Sequence, residues 1–288
     1  MRRREFLGKT AFGLGAAWLG SRAIPTVGVA APAKFSATDM VTLGRTGIRT
    51  TRLACGTGTV GYNHRSNQSS LGIQGLADLL CHGYDRGLRF FDTADSYGTH
   101  PHVAAALKRI PRDKVTILTK SWARDAQGMR ADLDRFRKEL DTDFLDIVLM
   151  HCLTEADWPT RYKGAMDVLS EAREKGIIRA HGVSCHSIEA LRAAAQTAWV
   201  QVDLARINPI GSRMDSDPKT VLEELWKMRA AGKAVIGMKI LGQGDMRNRA
   251  DEALSFALSQ GVLDAFTIGA ESRTEQVDLL QRISAIAV

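Results

Sequence analysis

The stretch from Phe90 to Gly98 reads Phe-Phe-Asp-Thr-Ala-Asp-Ser-Tyr-Gly and changes from apolar to polar after its second residue. Its start completes the apolar run Leu88–Phe91, which is short enough to be a buried strand. Two further apolar runs, Val115–Thr119 and Leu145–Met150, also end directly before an ionisable residue. The pattern predicts parallel strands whose carboxyl ends carry reactive side chains.

Outward from this stretch, strand-like runs and helical patterns alternate eight times after residue 34. Short apolar runs without strict alternation are typical of strands buried on both faces. Eight such units without a second type of composition predict α/β architecture, a single (β/α)8 TIM barrel. The strand candidates are Thr51–Cys55, Leu88–Phe91, Val115–Thr119, Leu145–Met150, Arg179–Val183, Val200–Leu204, Val235–Met238 and Ala265–Ile268.

The intervening segments carry helix signals. Apolar residues recur every three or four positions in Met129–Leu140, as on one face of a helix. Asp217 stands where an N-cap is expected, with Pro218 at the first helical position. A doubly wound open sheet is the rival fold, but Gly56-Thr57-Gly58 lacks the third glycine and the later acidic residue of its nucleotide fingerprint.

Four titratable residues at the strand ends suggest acid–base chemistry. A tyrosine hydroxyl is a weak acid near neutrality, with an unperturbed pKa of about 10. A neighbouring ammonium favours the phenolate, so Lys120 would lower the pKa of Tyr97 toward a useful range. Asp92 would hold the lysine by ion pairing, and His151 would orient a carbonyl group or relay the proton. Their convergence at one barrel mouth indicates an active site.

These residues also carry a resemblance to a known family. Asp92, Tyr97, Lys120 and His151, in their motifs, resemble the tetrad of the aldo/keto reductase family. Three other segments are similar to its N-terminal hairpin, its first barrel strand and its Gly-Val-Ser turn. They are Leu43–Gly47, Thr51–Gly58 and Gly182–Ser184. The resemblance runs from about residue 40 to the end of the chain and adds an N-terminal β-hairpin to the expected fold.

The resemblance implies an oxidoreductase that transfers a hydride between NADP(H) or NAD(H) and a carbonyl or alcohol substrate. Tyr97 would be the general acid/base, and the partner would be a small aldehyde, ketone or sugar. NADP is the common choice of the family and is slightly favoured. The residues implied in cofactor binding are Gly56, Thr57, Ser184, Cys185, Arg206, Lys239, Leu241, Gly242, Gly244, Arg273 and Gln276.

Three departures from the family pattern concern the cofactor. Cys185 stands where Asn usually holds the nicotinamide carboxamide, and a thiol is a weak hydrogen-bonding group. Leu204–Pro209 replaces the Gln-x-x-Tyr-Asn segment, so the aromatic platform is missing and Arg206 is the candidate substitute. Near the adenosine 2′-phosphate position Arg273 is the only cation, and Glu271 would favour a free ribose hydroxyl. NAD therefore stays open.

Loops after the strands supply two further expectations. Gly242 and Gly244 would let backbone amides approach a pyrophosphate, although two glycines are also typical of a simple turn. Trp122 and Trp158 follow the lysine and histidine strands and would wall an open substrate pocket.

Residues 1–33 predict a twin-arginine signal peptide, and residues 34–288 the barrel domain. Arg3-Arg4-Glu5-Phe6-Leu7-Gly8-Lys9 fits the export pattern, and a mildly apolar stretch, Thr10–Gly20, follows it. Small residues around Ala31-Pro32-Ala33, or alternatively Val29-Ala30-Ala31, suit a peptidase. The twin-arginine export machinery is thus an expected partner, and the mature protein is expected in the periplasm or otherwise outside the cytoplasm, with tightly held nucleotide. An uncleaved anchor or a basic tail is the alternative.

Composition excludes several other classes. The leader accounts for +4 of the net charge of +7, so the remainder is only mildly basic and shows no nucleic-acid pattern. The eleven residues of Thr10–Gly20 are too few for a stable membrane span. Cys55, Cys81, Cys152 and Cys185 lack metal-finger spacing, so no metal is expected and buried apolar roles are favoured over a functional thiol.

Two other functions remain as alternatives. A nicotinamide-nucleotide-binding sensor or partner protein with lost or weak turnover would keep the barrel, and the changes at Cys185 and Arg206 motivate it. Non-redox sugar chemistry such as isomerisation would need paired carboxylates, for which Asp92 and Asp95 are the nearest candidates. Hydride transfer to a carbonyl separates both from the leading interpretation.

Overall fold

The computed structural model describes residues 34–286, in which eight parallel strands close into a barrel. The prediction of a (β/α)8 barrel with an N-terminal hairpin is confirmed. The hairpin strands are β1 (Met40–Thr42) and β2 (Arg49–Thr51). The barrel strands are β3 (Leu53–Gly56), β4 (Phe90–Asp92), β5 (Thr116–Ser121), β6 (Leu145–Leu153), β7 (Ile178–Cys185), β8 (Val202–Arg206), β9 (Ala234–Met238) and β10 (Ala265–Ile268). They follow one another around the ring in chain order, and β10 pairs with β3.

Helices connect the strands and form the outer layer. They are α1 (Gly72–Asp85), α2 (His100–Leu107), α3 (Ala126–Leu140), α4 (Trp158–Arg161), α5 (Lys163–Glu174), α6 (Ile188–Gln196), α7 (Pro218–Ala230), α8 (Ala250–Ser259) and α9 (Arg273–Ala285). The predicted cap of α7 is confirmed, because the Asp217 side chain accepts the Thr220 N–H with Pro218 at the first position. The apolar stripe of α3 is buried, as its spacing predicts.

Alternate residues of the strands face two separate cores. On β6, Ile147 and Leu149 point into the barrel, where they join an interior cluster with Phe90. Val148 and Met150 point outward and pack beneath the helices. The period of two along each strand therefore fills the barrel and attaches the helical layer at the same time.

The β1–β2 hairpin closes the amino-terminal end of the barrel. Leu43 and Ile48, in its turn region, are fully buried against the interior cluster. Gly44 has φ +48°, and a Cβ there would lie 2.4 Å from the Ala234 nitrogen, so only glycine permits this approach. The hairpin leaves the carboxyl-terminal mouth as the open end of the barrel.

The predicted signal peptide, residues 1–33, lies outside the described residues. Among the helices of residues 34–286, none combines the length and the apolar character needed to cross a membrane.

Candidate active site

The carboxyl ends of β4, β5 and β6 bring together the residues that the sequence singled out. Lys120, near the end of β5, is completely buried. Its Nζ donates to Asp92 Oδ1 at 2.5 Å and to the Thr93 carbonyl at 2.8 Å. The carboxylate and the carbonyl fix the ammonium in one position, so this ion pair is part of a rigid framework.

Tyr97 and His151 complete the group above this ion pair. Tyr97 lies on a short 3₁₀ turn, Asp95–Tyr97, directly after β4. Lys120 Nζ lies 4.7 Å from the centre of the Tyr97 ring. The His151 ring stands edge-on to the Tyr97 ring at 5.8 Å between centroids, and Ser96 Oγ lies 3.5 Å from His151 Nδ1. The four residues thus form one contiguous site.

The direction of the Tyr97 pKa differs from the sequence-based expectation. Burial raises the pKa of Tyr97 above its ordinary value, and the opposing effect of Lys120 is smaller. The expected net lowering is therefore wrong, because desolvation of a phenolate outweighs one ammonium that Asp92 already neutralises. Tyr97 is held as a neutral phenol, which is the form that donates a proton.

The two partner groups stay in single protonation states. Burial disfavours the Lys120 ammonium, but Asp92 and Tyr97 more than offset this and raise the pKa of the lysine. Burial, reinforced by the Lys120 charge, holds the pKa of His151 well below its usual range. The site therefore pairs a fixed ammonium with a neutral imidazole that can accept or donate a hydrogen bond.

The loop after β3 covers the tyrosine ring, which the sequence reasoning missed. A Cβ on Gly58 would lie 2.1 Å from a carbon of the Tyr97 ring, and one on Gly61 would lie 2.3 Å from another. Glycine is required at both positions because the backbone rests on the ring. Two glycines three residues apart after the first barrel strand were the available signal. Gly58 and Gly61 hold the tyrosine in place.

The two predicted pocket tryptophans have different positions. Trp122 is 43% exposed, and its ring centroid lies 5.2 Å from that of His151, so it stands at the mouth. Trp158 does not line the pocket. It is fully buried beneath the helical layer, where its Nε1–H donates to the Ala190 carbonyl and its ring meets Trp199. Position after a strand alone could not separate these two environments.

The two residues predicted to bind the carboxamide are both buried, and they lie on opposite faces of β7. Ser184 is fully buried, and its Oγ accepts the Cys152 N–H at 3.1 Å. Cys185 lies in the outer core, and burial raises its pKa well above the usual value. The Cys185 expectation is corrected by this placement, since a buried thiol between strand and helices reaches no ligand. His186, the next residue, is only partly buried and contacts Cys152.

Two cations occupy the ends of β8 and β9. Arg206 is not a free rim arginine, because its guanidinium is paired with the buried Asp215 carboxylate. Lys239 has φ +59°, is partly buried, and its Nζ donates to Gln243 Oε1 at 3.1 Å. Burial lowers the pKa of Lys239, and the nearby Arg206 charge acts in the same direction. Within residues 34–286 no carboxylate lies within 4.0 Å of the Lys239 ammonium.

Four of the predicted cofactor residues have side chains or close contacts inside the protein. Thr57 Oγ1 donates to the Asp92 carbonyl, and a Cβ on Gly56 would collide with Thr267 and Gly269. Leu241 packs against the outer core. Gln276 is buried between helices, where its amide bonds His82 and the Leu79 carbonyl. These four positions are therefore engaged in packing and hydrogen bonds within the protein.

The remaining predicted cofactor residues lie on loops at the same end of the barrel. Gly242 and Gly244 have positive φ values of 58° and 111°, so this turn depends on glycine. Arg273 is exposed at the first position of α9. Glu271 accepts a hydrogen bond from Asn67 Nδ2 at 2.6 Å, which fixes a carboxylate beside this helix start. The charges around the helix start are thus mixed.

All four cysteines are free. Cys55, Cys81 and Cys185 are buried, whereas Cys152 is partly exposed. Among the residues that the structure describes, no three His, Cys, Asp or Glu side chains gather in a way that would hold a metal ion.

Comparison with known proteins places this site in context. The Aldo/keto reductase family profile matches residues 52–281. An aldo-keto reductase of Mycolicibacterium paratuberculosis is 32% identical over 143 residues, which cover 44% of this chain and 47% of the relative. An NADH-specific methylglyoxal reductase of Escherichia coli is 24% identical over 200 residues, covering 62% and 61% of the two chains. The aligned segments thus span about half of these curated relatives.

A solved structure shows the same fold. The holo form of aldo-keto reductase AKR11C1 from Bacillus halodurans superposes with a TM-score of 0.71 at 15% identity, covering 87% of this chain and 92% of that one. At this identity the superposition shows a shared fold only. The family profile, in contrast, matches in sequence and covers all eight barrel strands. The chain therefore belongs to the aldo/keto reductase family.

Proposed function

We propose that this protein is an oxidoreductase that interconverts a small carbonyl compound and its alcohol with NADP(H) or NAD(H). The observation that carries the proposal is the fixed Asp92–Lys120 ion pair beneath the Tyr97 ring, with His151 edge-on beside it. A pure binding role does not require a buried ammonium beside a tyrosine. The combination is suited to proton transfer at an oxygen atom.

In the reduction direction, Tyr97 would protonate the carbonyl oxygen. Its raised pKa keeps the phenol protonated, and Lys120 would stabilise the phenolate that forms when the proton leaves. Asp92 holds the ammonium at the end of β5 so that the charge does not move during the reaction. The neutral His151 would orient the carbonyl oxygen toward Tyr97. The nicotinamide cofactor, when bound, supplies or accepts the hydride.

The charges at the mouth fit an anionic nucleotide. Lys239 presents a partly buried ammonium with no carboxylate partner among residues 34–286, and the glycine turn beside it, which has no side chains at Gly242 and Gly244, leaves room for a phosphate to approach. Lys239, Gly242 and Gly244 would therefore hold the pyrophosphate. Arg273 would contact the ribose end, where the fixed Glu271 carboxylate opposes a 2′-phosphate. NADP and NAD are both to be tested, and one relative is named NADH-specific.

The substrate would enter beside Trp122, whose exposed ring stands next to His151. An aldehyde, ketone or open-chain sugar is the chemical class that Tyr97 and His151 would serve. Related proteins named methylglyoxal reductase act on a small carbonyl compound.

The decisive test compares wild type with Tyr97→Phe on a panel of aldehydes, ketones and sugars, with NADPH and NADH. Tyr97→Phe keeps the ring that Gly58 and Gly61 enclose, so the fold should be unaffected. We expect kcat to fall by about 10²- to 10⁴-fold, the usual contribution of a positioned acid. Equal rates in the two proteins would refute the mechanism. Nucleotide binding without hydride transfer to any carbonyl would favour a sensor role instead, which the altered nicotinamide contacts at Cys185 and Arg206 support.

Export by the twin-arginine route is a separate proposal that rests on residues 1–33. We expect a mature protein that begins near Ala31 or Lys34 and lies in the periplasm or outside the cell. The nucleotide would be bound before export, since the route carries folded proteins. N-terminal sequencing and mass analysis of the exported form would test both points, and full-length protein confined to the cytoplasm would contradict export.

A further inference from the structure

The end of β6 contains an irregularity next to His151. Met150 pairs with Val183 and Leu153 pairs with Cys185, so His151 and Cys152 together stand opposite the single residue between those partners. One extra residue in a strand is a β-bulge, and bulges near active sites change where side chains point. After the bulge, Leu153 lies in the outer core although the alternation along β6 would turn it inward. The bulge therefore shifts by one residue which side chains of β6 face the barrel interior.

Cys152 is the residue that absorbs this change. Its φ is +55°, a left-handed conformation that is strained for a residue other than glycine. Its N–H, removed from the regular ladder, is accepted by Ser184 Oγ at 3.1 Å. The Cys152 thiol consequently lies at the mouth, with Sγ 3.3 Å from His186 Nε2. The strained Cys152 backbone is held by the hydrogen bond to Ser184, which is typical of a functional site.

His186 is the group that this arrangement orients. The backbone N–H of His186 donates to the Leu153 carbonyl at 2.7 Å. The imidazole ring stands edge-on to the His151 ring, with 6.4 Å between centroids. Nε2 faces the thiol, whereas Nδ1 has no hydrogen-bond partner within residues 34–286 and is not among their fully buried atoms without partners. The Cys152 thiol thus holds Nε2, while Nδ1 is available to a ligand.

The chemistry of the pair determines which nitrogen carries the proton. A thiol is a weak acceptor, whereas a neutral imidazole nitrogen is a good one, so the S–H donates to Nε2 and the ring proton lies on Nδ1. Burial raises the pKa of Cys152 to about 11, which keeps the thiol protonated. Burial, with Arg206 and Lys239 nearby, lowers the pKa of His186 to about 3, which keeps the imidazole neutral.

We propose that His186, oriented by the Cys152 thiol, binds a ligand by donating its Nδ1–H to a ligand oxygen atom beside His151. The proposal rests on the proposed function, since it places that ligand in the same mouth. The oxygen would belong either to the carboxamide of the nicotinamide or to a second oxygen of the substrate next to its reacting carbonyl. Cys152 acts as a positioning residue, because it touches the ring and not the ligand.

The first measurement is the Kd of NADH and NADPH for wild type, His186→Phe and His186→Asn. Phenylalanine keeps a planar ring but removes the donor, whereas asparagine restores an N–H. If the carboxamide is the ligand, His186→Phe should bind nucleotide about fivefold to tenfold more weakly, as expected for one hydrogen bond. His186→Asn should recover most of that loss.

The second measurement separates the substrate as the source of the oxygen. Steady-state kinetics would compare an α-hydroxyaldehyde with the matching simple aldehyde. If the substrate supplies the oxygen, His186→Phe should raise KM for the α-hydroxyaldehyde about fivefold to tenfold with kcat little changed, and leave the simple aldehyde unaffected. Cys152→Ala should raise KM for the α-hydroxyaldehyde by a smaller factor. Cys152→Ser, in which an O–H donor replaces the S–H, should have a KM close to that of wild type.

His181→Phe is the matched control. It removes another imidazole from β7, but this ring is stacked on Trp199 at 4.3 Å, outside the mouth. Its Kd and KM values should equal those of wild type. If His186→Phe also matches wild type in both measurements while wild type binds nucleotide and turns over, the role of His186 is refuted and the proposed function stands. Wild type that neither binds nucleotide nor reduces a carbonyl would refute both.

Discussion

The two halves of the barrel mouth are built differently. On the β4–β6 half, Asp92, Lys120 and His151 project from strand ends into one site, and the Lys120 ammonium is held by both Asp92 Oδ1 and the Thr93 carbonyl. On the β7–β9 half, Ser184 accepts the Cys152 N–H, Cys185 lies in the outer core, and Arg206 is paired with Asp215. The first half follows the family pattern and the second departs from it.

The difference suggests that the residues for proton transfer are restricted in kind and position, whereas those for nucleotide binding are not. The proposed proton transfer uses Tyr97 with the Lys120 ammonium and the Asp92 carboxylate in fixed positions, so under this mechanism the β4–β6 half tolerates little change. A nucleotide can be held by many combinations of cations and backbone N–H groups. The β7–β9 half can therefore be rebuilt around Lys239 and His186 while the barrel stays the same.

The largest effect is expected from breaking the β4–β6 half at its ion pair. Lys120→Met should lower kcat by about 10²- to 10⁴-fold, because the phenolate of Tyr97 loses its nearby charge. It should also destabilise the protein by about 3–5 kcal/mol, since it leaves the buried Asp92 carboxylate unpaired. Steady-state kinetics and urea unfolding would measure the two effects.

The double variant Asp92→Asn/Lys120→Met separates catalysis from stability. It removes both charges, so most of the lost free energy of unfolding should return while kcat stays low. If the single variant does not fold, the double variant still carries the kinetic comparison. Near-wild-type kcat in the double variant would show that the ion pair serves the fold alone.

A smaller effect is expected beneath the β7–β9 half, at Asp203 on β8. Asp203 is fully buried, and neither carboxylate oxygen has a hydrogen-bond partner within residues 34–286. Burial, reinforced by the Asp215 charge, raises its pKa to about 8. Because the unfolded pKa is about 3.9, the cost of ionisation begins above that pH and is complete above about 8. Asp203 therefore makes the fold less stable as the pH rises.

Asp203→Asn should remove this cost. Its free energy of unfolding should match that of wild type near pH 4 and exceed it by on the order of a few kcal/mol at pH 8. Urea unfolding at several pH values would measure the difference. Asp113→Asn, at a carboxylate whose side chain is 70% exposed, is the control and should behave as wild type throughout. A pH-independent difference for Asp203→Asn would contradict the assignment.

The smallest of these effects concerns the loop that encloses Tyr97. Gly58 has an ordinary φ, so alanine is compatible with its backbone, and the three nearest neighbours of the added methyl group would all be atoms of the Tyr97 ring. Gly58→Ala should destabilise the protein by about 1–3 kcal/mol, as overpacking does. It should also lower kcat, because the ring must shift away from Lys120.

A double-mutant cycle with Tyr97→Ala isolates this contact. Without the ring, Gly58→Ala should cost little further free energy of unfolding. Gly75→Ala, at an exposed position of α1 whose nearest neighbour is Leu71 Cβ at 3.4 Å, is the control and should leave kcat unchanged. Equal costs of Gly58→Ala with and without the ring would rule out the contact.

The fold was predictable because local patterns repeat along the chain. Buried parallel strands read as short apolar runs, and each candidate run coincides with or overlaps an observed strand. The Asp217 cap and the α3 stripe depend on neighbours within four residues, so they too are readable. The tetrad follows from the same register, because residues at strand ends share one mouth.

The β7–β9 half could not be predicted in the same way. Cys185 lies in the outer core with Val183, two residues earlier on β7, and the short apolar run does not mark which of its two faces is the ligand side. The partner of Arg206 is a carboxylate on a loop, and Trp158 is covered by a helix from another unit. The sign of the Tyr97 pKa shift depends on total burial, which only the assembled structure defines.

The hairpin beneath the barrel has a consequence for how the nascent chain is protected. Gly44 donates its N–H to Asp264 Oδ2 across 220 residues, and Arg45 donates to the Gly232 carbonyl. Until β9 and β10 have been synthesised, the hairpin lacks these contacts. β3 and β8 are then edge strands, each with one unpaired side that could pair with another chain. Closure over such distances in sequence is slow. Emergence of β10, closure of the ring and protection of the strand edges should therefore occur together, where β10 pairs with β3.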